Sequence, residues 1–162
     1  PGDRWRFTLA HELGHIVLHQ CPSEKMEDEA NEFASAILMP KNDIGPSLRN
    51  IDIPRAAALK PKWKVSMGAL LVRAKTLRKI SEGQSGYLWR QMSMQGYRLA
   101  EPPELQILRE SPTLLPAFFD YFLEHLGYSR AEVAKLLGVF AAELASLYDL
   151  PSSWKPPLRI VK

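Results

Sequence analysis

Two histidines and a glutamate stand close together near the start of the chain, in the pentapeptide His11-Glu12-Leu13-Gly14-His15. On a helix, His11 and His15 lie four residues apart on one face, so that two imidazoles can reach one Zn²⁺ ion. Glu12 follows the first histidine and would face the water bound to that ion. The spacing therefore predicts the metal site of a hydrolase, with Glu12 as its catalytic base.

The alternative is that these histidines belong to an ordinary packed core. No proline interrupts residues 3–19, and Asp3 is the predicted N-cap of a buried helix. Burial of two imidazoles and a carboxylate within about one turn is unfavourable by roughly several kcal/mol without a compensating partner. A metal ion is the simplest such partner, so we favour the metal site. Apolar residues are expected to cover most of the remaining helix surface: Leu9, Leu13, Ile16 and Val17.

A catalytic zinc ion needs a third protein ligand and one open position. Residues 24–40 predict a second helix, and Pro40 marks its end. One turn before its apolar stripe, the same buried face continues to Glu27, which is the predicted third ligand. The stripe itself consists of Ala30, Ala34, Ile37 and Leu38.

Other polar residues of this second helix have weaker claims. Glu29 is the alternative ligand, because the phase of a helix is uncertain by about one residue near its end. Glu32 projects to another side and is interpreted as a solvated carboxylate. Asn31, one turn beyond Glu27, is predicted to form a hydrogen bond with a ligand imidazole. His19 is interpreted as structural, because one straight helix cannot easily bring imidazoles from three successive turns to a single ion.

The two helices together resemble the ImmA/IrrE family of zinc metallopeptidases. The resemblance covers residues 4–40 and rests on three segments. They are Phe-Thr-Leu-Ala-His-Glu-Leu-Gly-His at 7–15, Glu-Asp-Glu-Ala-Asn-Glu-Phe-Ala at 27–34 and Ile-Leu-Met-Pro at 37–40. In that family the two motif histidines and a Glu on the next helix bind zinc, and the matching position is Glu27. The implied fold is mainly α, with a zincin-like helical peptidase core and a helical C-terminal extension.

The resemblance also implies a mechanism, that of a zinc-dependent endopeptidase. Zn²⁺ held by His11, His15 and Glu27 lowers the pKa of a bound water toward neutrality. Glu12 takes a proton from that water as it attacks the scissile carbonyl, and gives the proton to the leaving amine. The group that stabilises the oxyanion is not identified; His125 and the tyrosines are candidates.

The family further implies a substrate class. Its studied members cleave helix-turn-helix repressors that guard mobile elements or stress regulons, and longer members carry a DNA-binding domain upstream. We therefore expect a protein substrate, such as a transcriptional repressor or antitoxin in a phage, mobile-element or stress response. Family members have strands before the motif, whereas ten residues precede His11. We expect a fragment whose upstream strands are missing.

Composition indicates a globular chain of one domain or two small ones. The chain has 162 residues, of which 46% are hydrophobic and 24% are charged. Its single cysteine, Cys21, excludes an internal disulfide and fits a reducing cytoplasm, which is the expected location. No apolar run has the length of a membrane span. We predict active-site helices in residues 1–45, a basic helical region in 46–110, and a helical region with a tail in 111–162.

Residues 55–79 contain eight basic side chains and no acidic one. A short helix at 55–59, a turn at 60–64 and a helix capped by Ser66 fit a helix-turn-helix layout. The alternative function is therefore a DNA-associated regulatory module with a vestigial or sensory metal site. We favour packing of these helices on the peptidase core, because the charge is modest for a DNA-binding surface. The predicted buried stripe is Met67, Leu70, Leu71, Ala74 and Leu77.

The C-terminal third is also predicted to be helical. Thr113 is the expected N-cap of its first helix, and the spacing from Ser129 to Glu132 is that of a capping box. A last helix at 140–148 carries no Lys or Arg, which favours packing or dimerisation over DNA binding. Residues 151–162 are expected to be extended. The apolar stripe of the first helix is Phe118, Phe119, Phe122 and Leu126.

Overall fold

The computed structural model describes residues 1–148 and 150, and helices make up 62% of these described residues. Those residues contain no strand, and the mainly α fold is confirmed. The chain divides into two units, Pro1–Glu110 and Ser111–Lys162. The helices of the first unit are α1 (Gly2–Leu18), α2 (Met26–Leu38), α3 (Lys41–Ile44), α4 (Ile53–Trp63), α5 (Met67–Thr76) and α6 (Glu82–Met94). No helix within residues 1–148 is both long enough and apolar enough to cross a membrane.

Helices α1 and α2 pack against each other through small residues. Ala30 and Ala34 of α2 are fully buried, as predicted, and Ala10 of α1 is nearly so. A Cβ atom on Gly14 would lie 3.1 Å from the side chain of Phe33 and 3.2 Å from Cα of Ala30. The absence of a side chain at Gly14 therefore lets the two helix backbones approach closely, and this approach sets the distance between their functional groups.

The prediction that α1 is buried on most of its surface is wrong. Leu9, Leu13 and Val17 are about half exposed, and Ile16 is 80% exposed. Ile37, predicted to lie inward on α2, is also exposed. The physical reason is that α1 uses only the narrow stripe of Ala10 and Gly14 for its contact with α2, so its broad apolar face stays open in the described part of the chain.

The main hydrophobic core of the first unit lies around α5. Ser66 caps this helix by accepting a hydrogen bond from the backbone N–H of Ala69, as the sequence predicts. Helix α6 was not predicted, although Ser81 and Gln84 form a capping box at its start. Leu77 of the predicted α5 stripe is partly buried and packs against this core. The other four residues of the stripe are fully buried: Met67, Leu70, Leu71 and Ala74.

Helix α4 is longer than the predicted 55–59 segment. The side chain of Asp52 caps it by accepting from the N–H of Arg55, and the helix continues through Pro61 to Trp63. Lys64 then adopts a left-handed conformation that ends the helix. The predicted turn at 60–64 is therefore wrong, because most of it belongs to α4.

A buried ion network ties the start of α1 to α4 and α5. Nζ of Lys60 lies 2.6 Å from Oδ2 of Asp3 and 2.6 Å from Oε2 of Glu101. The backbone N–H of Met67 donates to the other oxygen of Glu101 over 2.8 Å. Asp3 is thus not the predicted N-cap: α1 begins at Gly2, and the carboxylate turns to the buried ammonium group instead.

The network shifts the pKa values of Asp3 and Lys60. Burial alone would raise the pKa of Asp3, but its hydrogen bond with Lys60 and the positive charge of that residue outweigh burial and lower the pKa. Burial alone would lower the pKa of Lys60, but its bonds with Asp3 and Glu101 outweigh burial and raise the pKa. Both shifts favour the charged, paired state.

The second unit contains α7 (Leu114–Glu124), α8 (Arg130–Leu136) and α9 (Leu144–Leu147). The capping box of Ser129 and Glu132 is confirmed, whereas Thr113 precedes α7 without a side-chain cap bond. The last helix is shorter than the predicted 140–148 segment. Of the predicted α7 stripe, Phe119 is buried, whereas Phe118 and Leu126 are about half exposed. The predicted extended tail at 151–162 lies outside the described residues.

Candidate metal centre

Side chains from α1 and α2 converge at one point. Nε2 of His11 lies 3.0 Å from Nε2 of His15. The carboxylate of Glu27 lies 3.4 Å from each of these nitrogens, with one oxygen toward each ring. The structure thus brings together the three residues predicted as ligands, as a group that could hold a metal ion.

The separations suit a zinc ion. Zinc lies about 2.0–2.2 Å from imidazole nitrogens and carboxylate oxygens, so two ligands of a tetrahedral ion are about 3.3–3.6 Å apart. The observed distances of 3.0 and 3.4 Å are close to that range. Two imidazoles and one carboxylate are also the ligand set of many catalytic zinc sites, which keep a fourth position open. The residues present therefore fit the ion.

Hydrogen bonds at the far side of each ring define which nitrogen is free. Nδ1 of His11 lies 3.0 Å from Oδ1 of Asn31, and Nδ1 of His15 lies 3.0 Å from Nδ1 of His19. An amide oxygen only accepts, so Nδ1 of His11 donates, and its Nε2 carries a lone pair toward the site. The contact predicted for Asn31 is thus present in the structure.

The exposed fractions of the side chains indicate an accessible site. The side chains of His11 and His15 are 15% and 22% exposed, whereas that of Glu27 is 75% exposed. The expectation that Glu27 continues the buried face of α2 is therefore wrong, because this residue lies in the first turn, where the helix meets solvent. Glu12 is also exposed and follows His11 on α1.

Sequence reasoning interprets His19 as structural and Glu29 as the alternative ligand, and it does not predict the contact between them. The side chain of His19 is 5% exposed, and its Nε2 lies 3.0 Å from a carboxylate oxygen of Glu29. Glu29 thus contacts His19 and is not part of the converging group. The available signal was the spacing of four residues from His15 to His19, which we interpreted only as structural.

A cavity of about 730 Å³ is lined in part by residues of α1 that precede His11. Thr8, on its wall, precedes Glu12 by four residues and therefore lies one helical turn from it. The cavity combines aromatic and charged groups, so it can hold a side chain or a short stretch of peptide. Its lining includes Phe7, Thr8, Trp89, Tyr97, Arg98 and Glu101.

The basic residues between 55 and 79 do not form one continuous exposed surface. Lys60 is buried in the ion network, and Arg73 is buried with its Nε donating to the carbonyl oxygen of Met39. Lys64 pairs with Glu110, and Lys75 pairs with Glu82. The Nε atom of Arg55 donates to the carbonyl oxygen of Ser47, so five of the eight cations have internal partners, which weakens the case for DNA binding.

Comparison with known proteins finds a similarity to one family in the N-terminal part of the chain. Residues 2–75 match the Peptidase_M78 family, described as an IrrE N-terminal-like domain. That range includes all three converging residues and the helices that position them. No curated protein and no solved structure matches the chain. Residues 2–75 are therefore similar to the IrrE-like peptidase family, and this match supports the ImmA/IrrE resemblance seen in the motifs.

Proposed function

We propose that this chain carries the active site of a zinc-dependent endopeptidase. The observation that carries the proposal is the convergence of His11, His15 and Glu27, whose donor atoms lie 3.0–3.4 Å apart. Neutral imidazole nitrogens and a carboxylate oxygen are all acceptors, so they repel one another unless a cation lies between them. A zinc ion is the cation that this ligand set and spacing suit best.

Each residue then has a defined role. Zinc, when bound, supplies Lewis acidity toward a water molecule and toward the scissile carbonyl. His11, His15 and Glu27 hold the ion and leave one side open to substrate. Glu12 is exposed and adjacent, so its carboxylate accepts the proton of the attacking water and passes it to the leaving amine. Glu12 therefore gains one proton and loses one proton, and it is again a carboxylate at the end of the cycle.

The proposed substrate is a protein, in the form of an extended segment that crosses the open side of the centre. The exposure of Glu12 and Glu27 supports access by a polypeptide. The neighbouring cavity supports a binding site for a substrate side chain. The family resemblance makes a helix-turn-helix repressor or antitoxin of a mobile-element or stress response the first candidate, in the cytoplasm. We do not propose DNA binding by residues 55–79, because five of their eight cations have internal partners.

The test separates metal binding from catalysis. Glu12→Gln keeps the size of the side chain but removes the base, so the variant should retain about one zinc per chain and lose cleavage by about 10²-fold or more. Glu24→Gln, an exposed change between the two helices, is the matched control and should behave as the unaltered protein. Zinc is measured by elemental analysis, and cleavage of a purified repressor by mass spectrometry. Failure of the unaltered protein to bind supplied zinc would overturn the proposal, as would full cleavage by Glu12→Gln.

A further inference from the structure

We propose that His19 and Glu29 are positioning residues for the zinc ligand His15. This inference rests on the proposed zinc site and extends it outward by two residues. His15, His19 and Glu29 form one chain of hydrogen bonds: 3.0 Å from Nδ1 of His15 to Nδ1 of His19, and 3.0 Å from Nε2 of His19 to Glu29. The chain fixes both the direction of the His15 ring and the nitrogen that faces the metal.

When His19 is neutral, one assignment of protons satisfies every contact in this chain. The carboxylate of Glu29 only accepts, so Nε2 of His19 donates to it and Nδ1 of His19 is left as an acceptor. Nδ1 of His15 then donates to His19, and Nε2 of His15 keeps its lone pair for a cation. Glu29 could donate to Nε2 of His19 only if its carboxylate carried a proton. The position of Glu29 thus determines the tautomer of the metal ligand.

The end of α1 explains why His19 can do this. Three imidazoles on successive turns of a straight helix cannot meet at one ion. The helix ends at Leu18, and the backbone of His19 is extended, with φ of −114° and ψ of 103°. The His19 ring therefore leaves the helical track and contacts the outer nitrogen of His15 rather than the metal side.

Burial distinguishes this arrangement from a chance surface contact. The His19 side chain is 5% exposed, and both of its ring nitrogens have partners. The other histidine ligand has an equivalent support, because Oδ1 of Asn31 accepts from Nδ1 of His11. Each imidazole ligand is thus held by one acceptor, and outer contacts of this kind orient metal ligands and raise their basicity.

The experiment measures zinc affinity of the whole chain by competition with a coloured chelator, alongside the visible spectrum of the Co²⁺-substituted protein. His19→Phe keeps a buried ring but removes the acceptor, so zinc should bind about 10–100-fold more weakly. His19→Asn places an amide oxygen near the former Nδ1 position, as Asn31 does for His11, and should recover most of the loss. Glu29→Gln should weaken zinc binding by a smaller factor and alter the Co²⁺ bands. Asp28→Asn, the neighbouring exposed carboxylate, is the control and should change neither readout.

The outcomes separate the inference from the function on which it rests. If the unaltered protein binds zinc and His19→Phe binds it equally well, the positioning role is overturned and the zinc site stands. Equal losses in His19→Phe and His19→Asn, with both variants folded by circular dichroism, would also overturn it, because the acceptor would then be irrelevant. If His19→Phe does not fold, the zinc affinities of Glu29→Gln and Asp28→Asn are compared instead. Weaker binding in Glu29→Gln alone supports the positioning role, and equal affinities overturn it. No zinc binding by the unaltered protein would overturn both proposals.

Discussion

Nε2 of His11 and Nε2 of His15 face each other across 3.0 Å, while the Nδ1 atom of each ring contacts another side chain. Two lone pairs at this distance need a cation between them, and the carboxylate of Glu27 adds a third acceptor 3.4 Å away. The folded chain therefore holds its acceptors in a position that is unfavourable without an ion. Folding and zinc binding should consequently be coupled.

Zinc should raise the thermal stability of the protein. An ion that binds only the folded state adds about 2.7 kcal/mol when its free concentration is 100 times the Kd. Calorimetry with and without zinc measures the shift in Tm. His15→Ala is the control, because it removes one ligand and should remove most of the shift. A zinc-induced shift of equal size in both proteins would contradict the assigned site.

Asn31→Leu should weaken zinc binding by about 10–100-fold, because Nδ1 of His11 then has no acceptor on α2. Asn31→Asp keeps an acceptor in the same place and should bind zinc much more tightly than the Leu variant. Both affinities are measured by chelator competition. Indistinguishable affinities for the Leu variant and the unaltered protein would show that the contact with His11 is dispensable.

Gly14→Val should destabilise the fold by about 1–3 kcal/mol and weaken zinc binding. A Cβ at Gly14 meets Phe33 and the backbone of Ala30 at 3.1–3.2 Å, so α1 and α2 must separate, and Glu27 must move from the histidines. Gly86→Val on α6 is the control, since a Cβ there meets only the flexible end of Arg90 at 3.7 Å. Urea unfolding gives the free energies, and equal losses at the two positions would contradict the close-packing argument.

Lys60→Met should cost about 3–5 kcal/mol of the free energy of unfolding. The change removes the ammonium group that lies 2.6 Å from Asp3 and from Glu101, and it leaves the buried carboxylate of Asp3 and the partly buried carboxylate of Glu101 without their cation. Lys62→Met, at an exposed site two residues along α4, is the control and should be nearly neutral. A loss as small as that of the control would mean that the buried network contributes little to stability.

The same network predicts how stability depends on pH. The pKa of Asp3 is lowered from 3.8, so its contribution is complete above that value and is lost as the pH falls through the folded pKa. The pKa of Lys60 is raised from 10.5, so its contribution is complete below that value and is lost as the pH rises through the folded pKa. Urea unfolding across the pH range should therefore show both losses, and both should be smaller in Lys60→Met. Unchanged acid and alkaline losses in that variant would contradict the prediction.

Much of the local structure could be predicted from the sequence. The caps at Ser66 and Ser129, the end of α2 before Pro40, and the stripe on α5 all follow from contacts within a few residues of the chain. The burial of α1 was predicted wrongly, because an apolar residue such as Ile16 shows that a surface can be covered but not that another element covers it. The role assigned to Asp3 failed for a related reason: its partner Lys60 is 57 residues away.

The sequence by itself determined the chemistry of the candidate centre. The spacing of His11 and His15 places two imidazoles on one helical face, and the motif places a carboxylate at Glu12, whatever the rest of the chain does. The sequence favoured Glu27 and kept Glu29 as the alternative ligand, and only the tertiary structure decided which of the two meets the histidines and which supports them. That choice depends on the close approach of α1 and α2 at Gly14 and on the extended backbone of His19. Glu27 then lies at the metal centre, whereas Glu29 contacts the imidazole of His19. Side-chain spacing within a helix is fixed locally, whereas the distance and rotation between two helices depend on packing.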